Sequence, residues 1–302
     1  MNSPSVLVVM PVYNSKIYLV DAINSILQQT YSDFIFLIIN DGSTDGSSEL
    51  IETFFDHRIK LLNQENHGPA FCMNIAINFA LENSIPFIAR MDSDDISLPT
   101  RLEKQIYLLE TNKEIAACSC NCFYISVSEG KNLGASTVSI SPNLIRWEIK
   151  HGLRGLIQGS CTFRTESLYK IGGYNTSFPY AEETDLFLRL SAEFPLTNSP
   201  DFLYKIRMRE TSLSMNHPYN NVLRHFFAMD SFRRREIGMA TLNYDYFSAN
   251  LNLGMKFKIW REMSVLYLWR AGVSKSNFMY KIIAGLIDPR RAVIRIMRKF
   301  LP

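Results

Sequence analysis

Three carboxylates lie within four positions of one short segment, at Asp92, Asp94 and Asp95. They directly follow the apolar run 85–89, which is typical of a buried strand. Side chains two positions apart on an extended chain point the same way, so Asp92 and Asp94 can converge on one ligand. Their hard oxygen atoms suit Mg²⁺ or Mn²⁺, which commonly arrive with a substrate's phosphates. A solvated acidic turn is the alternative interpretation.

The elements that would position this loop alternate along the first half of the chain. Apolar periodicity predicts strands at 5–13, 34–39, 58–62 and 86–91. It predicts helices at 16–29, 48–55, 69–82 and from Pro99 to about 112. This order predicts an α/β fold with a mostly parallel sheet flanked by helices.

Polar loops follow three of these strands, at 11–14, 40–47 and 92–95. Ligands of parallel sheets bind at the carboxyl ends of the strands. We therefore expect the three loops to meet at one edge of the sheet. Within the second loop, Asp45 is expected to cap the following helix.

The second half is less regular. Strands are predicted at 115–127, 156–164 and 203–208, and helices at 142–150 and 182–194. From about His217 the pattern is helical, with boundaries near Leu242, Gly254, Gly272 and Pro289.

Composition indicates a globular protein, with 47% hydrophobic and 20% charged residues over 302 positions. That length fits one large domain or a domain with an appendage. The chain begins with a strand-like run and no basic leader, which predicts a cytoplasmic location. Cys118, Cys120 and Cys122 alternate along a predicted strand, where small buried thiols are favoured over a metal or disulfide role.

Charge is unevenly distributed. Residues 254–302 contain eleven Lys or Arg and two acidic residues, a formal charge of +9, which leaves −6 for the preceding chain. Apolar residues near the end, such as Val293 and Phe300, share one predicted helical face, and Arg291, Arg295 and Arg298 share another. A basic amphipathic helix of this kind suits an anionic membrane surface. Packing on the rest of the chain or on a second subunit, as in a homodimer, is the alternative. The region lacks the aromatic platforms that nucleic-acid binding would require.

Three segments resemble, in their order along the chain, the motifs of the family 2 glycosyltransferases: Pro11-Val12-Tyr13-Asn14, the loop 40–47 and the segment 89–105. The resemblance covers about residues 4–214. It implies the GT-A fold and inversion at the anomeric carbon. It implies a catalytic domain at 1–215, with a nucleotide-binding half to about 112 and an acceptor-binding half at 113–215. A helical, basic region would follow at 216–302.

The resemblance also implies residues that bind the donor. Those holding the nucleoside, usually uridine, would be Pro11, Tyr13, Asn14 and Asp41. A tyrosine ring can stack on a base, and a carboxylate can accept a base N–H. Ordinary turn formation is the alternative for these positions.

In the acidic loop, Asp94 is the implied metal ligand, and Asp92 would reach the metal or the ribose. Asp95 would orient the loop or cap the next helix. Arg90 and Arg101 flank the site and could touch phosphate, although for Arg101 we expect a solvated position.

An inverting transferase needs a general base opposite the leaving group. The family supplies it from an acidic segment at a helix start, here 182–186. Glu183 occupies the base position, where aspartate is usual, and Glu182 is the second candidate. Acidic residues also favour a first helical turn through its dipole, and Asp185 can pair with Arg189.

Several positions depart from the family pattern. Met73 stands where an arginine near the nucleotide is common, so nucleotide binding would depend on other groups or the base would differ. Arg207 and Arg209 precede Ser212 and Ser214, and either could clamp a diphosphate, with Arg209 preferred. Gly159 and Ser160 are expected near the acceptor groove or at a strand bend. The signature of processive synthases is absent, which favours transfer of a single sugar.

The resulting hypothesis is a Mg²⁺- or Mn²⁺-dependent transferase. Its donor would be a nucleotide sugar, and its acceptor a lipid-linked glycan in bacterial surface-polysaccharide assembly. A nucleotidyltransferase is one alternative, but the first loop lacks the Gly-rich basic sequence expected for it. A non-catalytic sugar-nucleotide-binding or scaffold protein is the other.

Overall fold

The computed structural model describes residues 4–127, 130–178, 181–208 and 218–273. Contacts divide the chain into two compact units, Met1–Arg209 and Glu210–Pro302. The acidic loop and the other predicted site residues lie in the first unit, and the basic C-terminal segment belongs to the second.

The first unit begins with the predicted alternation of strands and helices. Its first strands are β1 (Val6–Val12), β2 (Phe34–Asp41), β3 (Ile59–Gln64) and β4 (Phe87–Arg90). The helices among and after them are α1 (Lys16–Leu27), α2 (Ser47–Glu52), α3 (Pro69–Glu82) and α4 (Arg101–Thr111). Each lies within a few residues of its predicted position.

The remainder of this unit completes the sheet. It contributes β5 (Ile96–Ser97), β6 (Ala117–Ser126), β7 (Asn132–Ala135), β8 (Thr162–Arg164) and β9 (Leu196–Met208). Its helices are α5 (Pro142–Lys150), α6 (Thr165–Lys170) and α7 (Glu182–Glu193). The short elements β5, β7 and α6 are absent from the sequence prediction, and β9 begins earlier than predicted.

The strands form one nine-stranded sheet in the order β3-β2-β1-β4-β8-β6-β9-β5, with β7 paired to β6. Strands β1 to β4 are mutually parallel, as are β6 and β9. Strand β8 runs antiparallel between β4 and β6. The predicted mostly parallel α/β architecture with flanking helices is therefore confirmed.

The central strands of the sheet are buried, whereas β3 is only partly buried and β7 is exposed. Every residue of β1 except Pro11 is fully inaccessible to solvent. All five cysteines are buried free thiols, including Cys118, Cys120 and Cys122 on β6. These three thiols pack in the hydrophobic core as small apolar side chains.

The predicted continuous strand at 156–164 is wrong for its first half. Residues Gln158–Ser160 form a single 3₁₀ turn, and only Thr162–Arg164 pair as a strand. The Ser160 backbone N–H and hydroxyl both bond to Ile157 O, at 3.0 Å each, and Ser119 Oγ accepts from Ile157 N–H. These local bonds compete with strand pairing and bend the chain.

The second unit is helical over its described part, with α8 (Pro218–Glu236), α9 (Tyr244–Ala249) and α10 (Leu253–Val273). The Phe227 ring contacts Tyr244 and Phe247 at centroid distances of 5.3 Å. No helix in the described ranges is both long and apolar enough to cross a membrane. The predicted basic amphipathic helix near 291–300 lies outside the described residues.

Candidate active site

The first two polar loops meet at the carboxyl ends of β1 and β2. Val12 is in register with Asn40, so the loops that follow start level with each other. The Asn14 side-chain oxygen accepts the Thr44 N–H at 2.8 Å, and its own N–H donates to Ser43 Oγ at 3.1 Å. Asn14 adopts a positive φ of 49°, which asparagine tolerates better than most residues. Its role in the structure is therefore to join the two loops.

The acidic loop is joined to these loops through serine hydroxyls. Ser93 Oγ donates to Ser15 Oγ at 2.7 Å, and the Ser15 N–H donates to Ser47 Oγ at 3.2 Å. Asp45 accepts from the N–H of Ser47, the first residue of α2, although Gly46 and not Asp45 is the N-cap residue. The middle residue of Asp92-Ser93-Asp94 thus anchors the loop, while its acidic neighbours keep partial access to solvent.

The nucleoside-binding candidates differ in how accessible they are. Tyr13 is 51% exposed, and Pro11 is half-buried beside it. Asp41 is buried at the end of β2. Its carboxylate accepts from Gln64 Nε2 at 2.6 Å and from the His67 and Gly68 N–H groups at 2.9 and 2.8 Å. Asp41 therefore holds the turn before α3, and most of its acceptor capacity is used internally.

Asp92 carries an ion pair within the site. Its Oδ1 accepts from Nε of the buried Arg90 at 3.1 Å, and its N–H donates to Tyr204 Oη at 3.1 Å. Asp94 is half-buried next to it. Arg90 thus engages one oxygen of Asp92, one of the two metal-ligand candidates.

Asp95 orients the acidic loop. It is buried, and its Oδ1 accepts the Arg207 N–H from β9 at 2.8 Å. Burial, followed by the charges of Asp94 and Asp92, raises the pKa of Asp95 well above its ordinary value. Burial and the two neighbouring carboxylates therefore favour the neutral form of Asp95.

Arg101 contradicts its prediction, because it is fully buried instead of solvated. Its Nη1 donates to Arg90 O at 3.0 Å and to Gly159 O at 3.3 Å, and its guanidinium lies 5.3 Å from the Tyr204 ring centroid. The helical periodicity of the sequence could have predicted this burial, because Arg101 shares the inward face of α4 with residues 102, 105, 106 and 109. The side chain supports the backbone beneath the site and does not face solvent.

The acidic start of α7 places three carboxylates in different environments. Glu183 is exposed. Asp185 is fully buried and paired with Arg189 at 2.6 Å, as predicted. Glu182 keeps some solvent-accessible surface, but burial of its carboxyl raises its pKa to about 7, with Arg90 opposing this rise and Glu183 adding to it.

Gln158 links Arg90 to Glu183, and it was not among the residues predicted from the sequence. With its amide oriented to satisfy both neighbours, its oxygen accepts from Arg90 Nη1 at 2.8 Å and its nitrogen donates to Glu183 Oε2 at 3.2 Å. The adjacent Gly159 packs against Asp92 and lies in the 3₁₀ turn, so the strand bend predicted as one alternative occurs here.

The remaining candidates lie away from this cluster or outside the described residues. Met73 is fully buried in the core. The Arg207 side chain pairs with Asp21 at 3.0 Å and lies over the Tyr18 ring, at 5.1 Å from its centroid. Arg209, the preferred phosphate clamp, lies outside the described residues.

Several carboxylates lie near the buried guanidinium of Arg90. Asp92, Asp94, Glu182 and Glu183 lie on the acidic loop and the start of α7, and Arg90 and Gln158 connect these two segments. Across the described residues, no three His, Cys, Asp or Glu side chains form a set that could hold a metal ion by themselves. Two carboxylates completed by substrate phosphates and water would suit Mg²⁺ or Mn²⁺, which seldom use an all-protein cage.

Comparison with known proteins gives consistent results. The family model described as glycosyl transferase family 2 matches residues 7–172. A glycosyltransferase of Haemophilus influenzae is 30% identical over 299 residues, which cover 93% of this chain and 85% of the relative.

Two solved structures share the fold at 16% identity. The Pyrobaculum calidifontis mannosyltransferase PcManGT, in complex with GDP-Man and Mn²⁺, has a TM-score of 0.59 and coverage of 94% of this chain and 84% of its own. S. aureus TarS 1-349, in complex with UDP-GlcNAc, has a TM-score of 0.56 and coverage of 86% and 80%.

Proposed function

Because this chain belongs to glycosyltransferase family 2, we propose that it is a metal-dependent inverting enzyme that transfers one sugar from a nucleotide donor to a glycan hydroxyl. The observation that carries this proposal is the link through Arg90 and Gln158. It joins the Asp92 carboxylate to Glu183, and we assign Asp92 to the leaving-group side of the donor and Glu183 to the acceptor side. Inversion requires two such groups acting on opposite faces of one sugar.

The donor is a nucleotide sugar, with a UDP-sugar as our first choice. Tyr13 offers an exposed ring for stacking on the base, while Pro11, Asn14 and Asp41 shape the surrounding turns. The solved structures with the same fold contain GDP-Man and UDP-GlcNAc, so the fold accommodates both purine and pyrimidine donors.

The divalent cation would be held by Asp94, with Asp92 as the second ligand. Mg²⁺ or Mn²⁺ would act as a Lewis acid that stabilises charge on the departing diphosphate. Arg90 is too buried and too engaged with Asp92 to neutralise that diphosphate alone. The excess of carboxylates makes an added cation necessary for an anionic donor to bind.

Glu183 is the proposed general base. Its exposed carboxylate can take the proton from an acceptor hydroxyl as that oxygen bonds to the anomeric carbon. The bond from the anomeric carbon to the donor phosphate breaks at the same time, and the nucleoside diphosphate leaves with the electron pair. Glu182, with its pKa near 7, is the second candidate for this role.

The acceptor is proposed to be a lipid-linked glycan of bacterial surface-polysaccharide assembly. We assign catalysis to residues 1–215 and membrane attachment to 216–302, on the cytoplasmic face. The charge of +9 over residues 254–302 supports this division, since anionic lipids attract such segments. A second copy of the chain is the alternative partner for this region.

The proposal is tested by incubation with a panel of nucleotide sugars, with Mn²⁺ or Mg²⁺ and candidate acceptors, while release of nucleoside diphosphate is followed. Glu183→Gln should abolish transfer and retain donor binding. Glu193→Gln, a matched change of an exposed glutamate at the far end of α7, should leave transfer unchanged.

Full activity in Glu183→Gln would reject the base assignment. Binding of a donor without turnover under any condition would instead favour a non-catalytic sugar-nucleotide-binding protein.

A further inference from the structure

Gln158 holds a position that neither the family resemblance nor the sequence pattern assigns. It lies in the 3₁₀ turn between α5 and β8 and is only 8% exposed. Its amide oxygen faces Arg90 Nη1 at 2.8 Å, and its amide nitrogen faces Glu183 Oε2 at 3.2 Å. In the reverse orientation the amide nitrogen would face the Arg90 donor and the amide oxygen would face the Glu183 acceptor. These two neighbours therefore determine which way the amide points.

The partners of this amide differ in mobility. Arg90 is buried, paired with Asp92 through Nε, and in register with Val9 in the parallel pairing of β4 with β1. Glu183 is exposed at the first turn of α7. Gln158 therefore connects a side chain fixed by the sheet to one that packing leaves free to move.

The need for such a contact follows from the residue type at position 183. The family resemblance implies an aspartate there, and glutamate has one more rotatable bond. An unrestrained carboxylate would spend time away from the orientation needed for proton transfer. A misplacement of about 1 Å can cost about a hundredfold in rate.

We propose that Gln158 is a positioning residue, which holds the longer Glu183 side chain in its reactive orientation by an amide hydrogen bond anchored on Arg90. This inference rests on the proposed function, in which Glu183 is the general base. The role of Gln158 is to orient the base; it need not contact the substrate.

A double-mutant cycle between Gln158→Ala and Glu183→Asp tests this inference. In the wild-type background, Gln158→Ala should lower kcat for transfer about 10- to 100-fold and change the donor KM by less than about threefold. In the Glu183→Asp background the same change should cost less than about threefold, because the shorter carboxylate no longer reaches the amide. Gln158→Met, which preserves side-chain volume, gives a second measurement and should follow the same pattern if the alanine variant folds poorly.

Gln105→Ala is the matched control. Gln105 is also a buried glutamine bonded to this segment, with Nε2 donating to Ser160 O and Oε1 accepting from Thr162 Oγ1, both at 2.8 Å. Neither of these hydrogen bonds involves Glu183, so any cost of replacing Gln105 should be the same in both backgrounds.

Equal losses from Gln158→Ala in the two backgrounds, or an effect on KM alone, would overturn the positioning role. If either of these results is found while Glu183→Gln is inactive, the positioning role is rejected but Glu183 remains the proposed base. Full activity in Glu183→Gln would overturn both the inference and the base assignment.

Discussion

Gly159 lies directly against the Asp92 carboxylate. A Cβ atom at position 159 would lie 2.5 Å from Asp92 Oδ2 and 3.2 Å from Tyr204 Oη. The backbone at Gly159 does not adopt a positive φ, so the requirement for glycine is one of space. The 3₁₀ turn therefore sets the position of the acidic loop through Gly159 and orients Glu183 through Gln158.

Replacement of Gly159 by alanine should displace the Asp92 carboxylate and so reduce activity strongly, with only a moderate loss of stability. We expect transfer activity to fall by about a hundredfold, since a small displacement at a reacting centre is costly. The free energy of unfolding should fall by about 1–3 kcal/mol, which is typical of overpacking. Nucleoside diphosphate release and urea denaturation measure the two effects.

Gly155→Ala is the control for this change, because its Cβ would lie 2.6 Å from Ile149 Cγ1 in an apolar contact. It should cost similar stability with much less loss of activity. Wild-type activity in Gly159→Ala would show that Asp92 can move without consequence.

The elements of the first half of the fold could be predicted because each is marked by the residue pattern within its own segment. Strands β1 to β4 and helices α1 to α4 each have an apolar pattern of the correct period, bounded by polar turns. The convergence of three polar loops then follows from the rule for parallel sheets. Asp92 and Asp94 could therefore be proposed as site residues from the sequence pattern, whereas Glu183 is proposed from the family resemblance.

The supporting residues could not be predicted in the same way. Gln158 interacts with Arg90 and Glu183, which are distant in the chain, so no periodic pattern marks its role. Arg101 was assigned to solvent because buried arginines are rare, although its helical position pointed inward. The role of Gln158 depends on long-range contacts, which a single sequence does not display.

Removal of divalent cations should abolish transfer. We expect EDTA to lower activity at least a hundredfold and Mn²⁺ or Mg²⁺ to restore it, since a Lewis acid contributes several kcal/mol. Asp94→Ala should be inactive at every cation concentration. Asp201→Ala, which removes an exposed carboxylate paired with Lys104, should behave as wild type. Transfer that is insensitive to EDTA would contradict the proposed metal dependence.

Arg101→Met should destabilise the protein strongly. The change removes the donor to Arg90 O and Gly159 O and leaves both acceptors without it in a buried region. We expect the free energy of unfolding to fall by about 2–4 kcal/mol. Arg154→Met, at an exposed position, should change it by less than about 0.5 kcal/mol. Equal stability of the two variants in urea denaturation would argue against the buried position of Arg101.

Glu182 should make stability depend on pH. Its pKa is about 7 in the folded protein and near 4.5 when unfolded, so between these values the folded state binds more protons at this group. The free energy of unfolding should therefore fall as pH rises from about 4.5 to 7. Glu182→Gln removes this loss, so the variant should be more stable than wild type by about 1–3 kcal/mol at pH 8.

Urea denaturation from pH 4 to pH 8 measures this difference, which should shrink toward pH 4 because the wild-type carboxyl is then protonated in both states. Glu193→Gln, at the exposed end of the same helix, is the control and should show no such trend. If the advantage of Glu182→Gln were constant across the pH range, the raised pKa could not be its cause. Lower stability of the variant at pH 8 would mean that attraction between the Glu182 carboxylate and Arg90 outweighs the cost of burying it.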